Sequence, residues 1–158
     1  MSSSDSVAVA LTPARAAALA PARVADLLAA EVAQQREALH LGGAPPFYHL
    51  RYHALLLDQA TATASFGALV EEEHHPMHLL GIEVRLGDSS FDNTGFGGWE
   101  TGFGTRILPE VLTPHALRLA TWSLTDWAYK EAVEQYARKR SAFVPPPDHP
   151  GDYRLVTA

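Results

Sequence analysis

Residues 47–86, FYHLRYHALLLDQATATASFGALVEEEHHPMHLLGIEVRL, decide the fold. From Phe47 the side chains alternate. Tyr48, Leu50, Tyr52 and Ala54 fall on one side of an extended chain and Phe47, His49, Arg51 and His53 on the other, which describes a strand with one polar face. A second run, Thr61–Val70, alternates Thr or Ser with Ala or Phe, and Asp58-Gln59 reads as a short turn before it, so a hairpin is expected. A charged turn over Glu71–Pro76 then leads into a third strand, with His78, Leu80, Ile82, Val84 and Leu86 on one face and Glu83 and Arg85 on the other. The three strands should form an antiparallel meander, with Phe91–Thr94 beginning another short strand.

Helical spacing flanks this region on both sides. Between Pro21 and His40, Val24, Leu27, Leu28, Val32 and Leu39 mark one face, with Arg23, Asp26, Gln34 and Glu37 opposite; Pro21 suits a first turn and Gly42-Gly43 a stop. Thr113-Pro114 starts a second helix, because the hydroxyl can cap free amides and proline loses nothing at the first position. That helix should run to Phe143, before Pro145-Pro146-Pro147, and at about 45 Å it would exceed a globule roughly 40 Å across, so that it must bend, break or project. Its apolar positions form two stripes, one through Leu117, Ala120, Leu124, Trp127, Ala128 and Ala132 and one through Trp122, Tyr129, Val133 and Tyr136. The expectation is that Trp122 and Tyr136 face a second protein surface.

The fold class expected is α+β: an antiparallel sheet of three to five strands flanked by an N-terminal helix and a long C-terminal helix. Residues 1–20 read as a flexible leader without the basic start of a signal peptide, 21–144 as a single domain, and 145–158 as a Pro-rich linker or tail. With 158 residues there is room for one such domain. The net charge of −6, with no basic stripe beyond Arg138-Lys139-Arg140 at a helix end, gives no reason to expect nucleic acid as a partner, and no apolar run is long enough to span a membrane. A cytoplasmic location is expected. Zero cysteines excludes disulfides, thiolate zinc sites and a cysteine nucleophile.

Phe47-Tyr48, Ser65-Phe66-Gly67-Ala68-Leu69, Ile82-Glu83-Val84-Arg85-Leu86-Gly87-Asp88, Asp92-Asn93-Thr94 and the helical Ala120-Thr121-Trp122, Asp126 and Ala128-Tyr129-Lys130-Glu131-Ala132 together resemble the N-terminal domain of TldD/PmbA-like proteins, a metallopeptidase family also described as modulators of DNA gyrase. The resemblance covers roughly Ala44 to Val144. It implies a domain that shapes the chamber admitting an unfolded peptide and supports dimer assembly, alongside a C-terminal catalytic domain or a TldD/PmbA-like partner subunit. Zinc is implied for that C-terminal domain, bound by an HExxxH-type helix. No histidine here is followed directly by glutamate, so neither that pattern nor HExxH can be placed, and no catalytic residue or cofactor is assigned to this chain.

The remaining constellations each carry two readings. Glu71-Glu72-Glu73-His74-His75-Pro76-Met77-His78 crowds metal-ligand types together, with His74, His75 and His78 as candidate ligands of a small His-cluster metalloprotein, although neighbours in an extended turn point apart and a solvated charged tip is the simpler reading. His49, Arg51 and His53 could line a polar groove meeting a peptide carboxylate, or form an ordinary solvent face. Asp92, Asn93 and Thr94 are turn formers that the resemblance marks as an ordering or substrate-facing spot. Phe96 and Trp99, in GFGGWETGFG, belong either to a mobile aromatic loop that docks on a partner or covers a peptide channel, or to a floppy connector with one ring tucked into the core. Substrate or partner contacts are thus assigned to Asp92, Asn93, Thr94, Phe96, Trp99, Trp122 and Tyr136. The alternative to the protease-domain reading is a stand-alone module that binds an extended peptide.

Overall fold

A computed structural model describes residues 19–39, 42–96 and 103–152. The elements in chain order are α1 (Pro21–Ala38), β1 (Phe47–Ser65), β2 (Ala68–Leu86), β3 (Phe103–Leu108) and α2 (Pro114–Ala142), an α+β fold. The strands form one antiparallel sheet in the order β1-β2-β3. Period-two patterning decides its faces: Leu80, Ile82, Val84 and Leu86 of β2 are buried against Val24 and Leu28 of α1 and Leu117, Leu124, Ala128 and Ala132 of α2, with Leu50, Tyr52, Ala54 and Leu56 of β1 completing the layer. His49, Arg51, Glu83 and Arg85 take the opposite face. Among the described residues no helix is long and apolar enough to cross a membrane.

The strand boundaries differ from the sequence expectation in one consequential way. Asp58-Gln59 is not a turn. β1 runs straight through it and the chain reverses at Phe66-Gly67, so Asp58 pairs with Pro76, Thr61 with Glu73 and Ser65 with Ala68. Both turn residues have positive φ, 50° at Phe66 and 81° at Gly67, the geometry whose twist matches flanking strands in a two-residue hairpin loop. Glycine supplies that conformation freely, whereas Asp58-Gln59 has no residue that does. Glu71–Pro76, expected as a turn, is likewise strand. Pro76 is tolerated because β3 starts to pair with β2 only at His78, so a missing N–H on that edge removes no ladder bond.

The predicted three-strand meander is therefore one long hairpin, and the third strand comes from elsewhere. Phe103 and Gly104, assigned to a mobile loop, begin β3. Gly104 is needed there because the Trp127 ring lies against it: a Cβ would sit 2.5 Å from the ring and 3.1 Å from Leu124. Phe91–Thr94 forms no strand, only a single bridge between Gly87 and Asp92.

α2 is one uninterrupted helix of 29 residues, capped by the Thr113 side chain accepting from the Ala116 amide as expected. It does not break, because different parts of the chain cover it along its length. Its first half packs on β2 and β3, and its C-terminal turns receive the 88–96 segment through the Phe91–Tyr136 ring pair at 5.5 Å and the Gln135 amide donating to the Phe96 carbonyl at 2.7 Å. Its buried face is a single stripe from Leu117 to Lys139, which leaves Trp122 at 59 % exposure. α1 ends at Ala38.

Gly87 is the sharpest test of this packing. Its φ is +99°, and a Cβ would stand 2.3 Å from the Phe91 carbonyl oxygen and 2.7 Å from the Tyr136 ring. Gly87→Ala should destabilise the fold by at least ~2 kcal/mol in urea titration, with Gly67→Ala at the solvent-exposed turn costing less. Equal effects at the two positions would contradict the packing described.

Candidate functional site

The Asp92-Asn93-Thr94 motif sits where β2 ends, and each of its side chains has a specific internal partner. Asn93 lies 0 % exposed against the last residues of β2: its Oδ1 accepts from the Leu86 amide at 2.7 Å and its Nδ2 donates to the Val84 carbonyl at 3.3 Å. The carboxamide thus mimics a strand neighbour. Asp92, also 0 % exposed, accepts at Oδ1 from the Thr94 amide at 2.7 Å and the Thr94 hydroxyl at 2.6 Å, and at Oδ2 from the Tyr48 hydroxyl at 2.7 Å and Arg85 at 3.2 Å.

An alternating chain of charges runs through this node. Arg51 meets Glu83 at 2.7 Å, Glu83 meets Arg85 at 2.7 Å, and Arg85 reaches Asp92. The Asp92 amide in turn donates to Asp152 Oδ2 at 2.8 Å, and that same oxygen accepts from Lys139 Nζ at 2.6 Å. Lys139, 1 % exposed, also donates to the Thr94 carbonyl at 2.7 Å and lies 4.9 Å from the centre of the Phe91 ring. The network ties the polar sheet face, the 88–96 segment, the C-terminal turn of α2 and the chain around Gly151-Asp152 into one brace. Buried charges of this kind are stable only when paired and hydrogen-bonded, and here they are.

The titration properties follow from the geometry. Burial alone would raise the Asp92 carboxyl, but the hydrogen bonds from Thr94, Tyr48 and Arg85 outweigh it and hold the group below the usual carboxylate range. Burial, reinforced by the bond to Asp92, pushes the Tyr48 phenol well above its ordinary value. Desolvation opposes the Arg85 charge, and Glu83 and Asp92 more than compensate.

The other residues singled out in the sequence are scattered. Phe96 is half-buried, with its carbonyl held by Gln135, and Tyr136 is half-buried against Phe91. Trp122 stands on the outer side of α2. Trp99 lies outside the described residues. Of the histidines, His74 pairs with Asp58 and His75 with Glu73 on the exposed hairpin, whereas His78 turns inward and its Nδ1 donates to the Pro109 carbonyl at 3.1 Å. Successive strand positions place His75 on the face opposite His74 and His78. Among the described residues no group of three or more His, Cys, Asp or Glu is placed to hold a metal ion.

Two surface features stand out among the described residues. The first is the outer half of the hairpin, an arm in which Leu57, Leu69, Val70 and Met77 are exposed and Phe66 stands fully in solvent at the tip. The second is a groove of about 570 Å³ between α1 and the edge of β1 that no described strand pairs with, walled by Ala25, Leu28, Ala29 and Val32 and floored by Leu50 to Ala54 and Leu56. The groove continues past Arg36 to Phe47. Sequence reading missed both the groove and Lys139. The Ala25-Ala29-Val32-Arg36 stripe on α1 could have signalled the groove, whereas Lys139 looked like part of a basic helix end.

No family model, curated protein or solved structure matches the chain.

Asp92→Ala should cost about 3–5 kcal/mol, because Arg85 loses a buried carboxylate partner and the Tyr48 hydroxyl its acceptor. The pH dependence has a definite sign. A folded-state pKa below the unfolded value of about 3.9 makes the Asp92 contribution complete above that value and lost as pH falls through the lower folded one. Chemical denaturation at pH 7 and pH 3 should therefore show a smaller difference for Asp92→Asn than for the parent. An unchanged difference would mean that Asp92 is not ionised in the folded protein.

Proposed function

We propose that this chain is a non-catalytic domain of a TldD/PmbA-like metalloprotease, which shapes the access path of an unfolded peptide and supports assembly with a catalytic domain or partner subunit. One observation carries the reading: Asp92, Arg85, Glu83 and Lys139 are bound up in an internal brace, while the described surfaces include an unpaired strand edge, an apolar groove and a projecting ribbon. Such surfaces hold or position polypeptide; they do not perform acid–base chemistry. Asp92, Asn93 and Thr94 act here as ordering residues, and the exposed Trp122 belongs to a contact surface. Zinc belongs to the catalytic partner, and the cytoplasm is the compartment this reading assigns.

A second reading, a stand-alone module that captures an extended peptide, is favoured by the groove beside the β1 edge, since a strand laid there would gain backbone hydrogen bonds on one side and an apolar wall on the other.

The test is complementation. The purified chain, supplied with zinc and a denatured protein substrate, should release no peptides. Mixed with a TldD/PmbA-like polypeptide that carries HExxxH, it should form a complex and raise cleavage of unfolded substrate. Cleavage by the chain alone, or a catalytic polypeptide indifferent to its presence, would contradict the proposal.

A further inference from the structure

We infer that the arm and the groove are the two halves of one interface: the hairpin arm of each chain lies in the α1–β1 groove of a second copy, in a two-fold exchange. The inference rests on the assembly role proposed above and specifies its partner.

The first argument is length. β1 divides into a body half, Phe47–Leu56, backed by α1 and the core, and a free half, Leu57–Ser65, exposed throughout. The halves are nearly equal. An antiparallel pairing of β1 with β1 of a second copy, centred on Leu56, therefore lays each free half along the full groove of the other chain. The sheet becomes six-stranded, and no long bare β1 edge remains. This matters because a two-stranded ribbon is marginal in water, and a long edge without lysine or proline invites pairing.

The second argument is shape. In that register the second copy's Ala60 stands opposite Tyr52 and its Ala62 opposite Leu50, both on the face turned toward α1. The groove wall there is Ala25, Ala29 and Val32, so small residues on the arm meet a narrow slot. On the other face Gln59, Thr61 and Thr63 fall beside His53, Arg51 and His49, polar against polar. Phe66 at the tip reaches Pro46 and Phe47 at the far end of the groove, which covers a ring that is fully exposed among the described residues.

Charge is the third argument. The arm carries Asp58, Glu71, Glu72 and Glu73 and no lysine or arginine. The rim of the groove presents Arg51 on the outer face and Arg36 at the α1 end. Glu73 pairs with Thr61 and lies on the outer face, one strand beyond the position beside Arg51, so the acidic arm is laid along the basic rim. α1 has no side-chain cap and no acidic residue in its first turn, and the same register sets the second copy's Asp58 opposite Ala54, close to Pro21. The groove residues of each copy together with its free half of β1 come to about 20, the lower end of a standard interface.

Light scattering after size exclusion tests the exchange on the whole chain. At about 50 μM, above the dissociation constant expected of a standard interface, the chain should run at twice its 17.1 kDa. Two variants should run at the single mass: Ala62→Trp, too large for the slot and on the free ribbon, with unchanged circular dichroism, and an arm-shortened chain in which Asn-Gly joins Leu57 to Met77, which loses strand signal but keeps the helical signal of α1 and α2. A parent chain that is monomeric, whether or not it takes up a peptide of the 57–65 sequence, overturns the exchange, as does a dimer that survives both changes. The measurement involves no protease, so it can fail while complementation succeeds, and the reverse.

Discussion

The continuous pairing of β1 with β2 is the constraint on which the rest depends. Because side chains alternate with a period of two, a slip of one residue would carry Leu80, Ile82 and Val84 from the helices to the polar face and bring Glu83 and Arg85 into the core. The register is held at both ends. At the tip, the positive φ angles of Phe66 and Gly67 permit only a short loop. At the base, Gly87 turns the chain back so that Asn93 can cover the last amide and carbonyl groups of β2. Between these ends the same ladder serves two purposes, as half of it supports the core and half extends away from it.

The charge network explains how so short a body holds so long a helix. α2 outruns the three strands, and its last turns are covered instead by the 88–96 segment, which has few apolar groups to offer. Lys139, Asp152 and Asp92 supply in directional bonds what that segment lacks in hydrophobic area. Such an arrangement is sensitive to loss of any one member, because an unpaired buried charge costs several kcal/mol whereas an intact set gains little over an apolar replacement. It fixes one geometry more than it adds stability.

Much of this was legible in the residues, for identifiable reasons. α1 and α2 announced themselves through proline at the first turn, the Thr113 cap and 3.6-residue spacing, and the inward face of β2 through strict alternation. The hairpin turn was misplaced because Asp58-Gln59 has turn composition, whereas the true reversal uses Phe66, a residue that seldom adopts positive φ. β3 was hidden because a glycine-rich stretch reads as a loop, and only the Trp127 ring explains Gly104. The candidate contacts diverged for a related reason: Asp92, Asn93 and Thr94 are polar and near glycine, which suggests a surface, yet long-range partners 44 to 60 residues away enclose Asp92. Pairing over such distances leaves no local trace in sequence.

The length of the hairpin can be measured directly in a chain that has no cysteine of its own. In the continuous ladder Thr61 stands opposite Glu73, within the separation a disulfide requires, so Thr61→Cys/Glu73→Cys should oxidise to an intramolecular bond. A turn at Asp58-Gln59 would instead set Leu55 opposite Ala62. Rapid closure of the 61–73 pair, with Leu55→Cys/Ala62→Cys remaining reduced under the same conditions, is the result this structure demands; the opposite pattern would contradict it, and with it the arm.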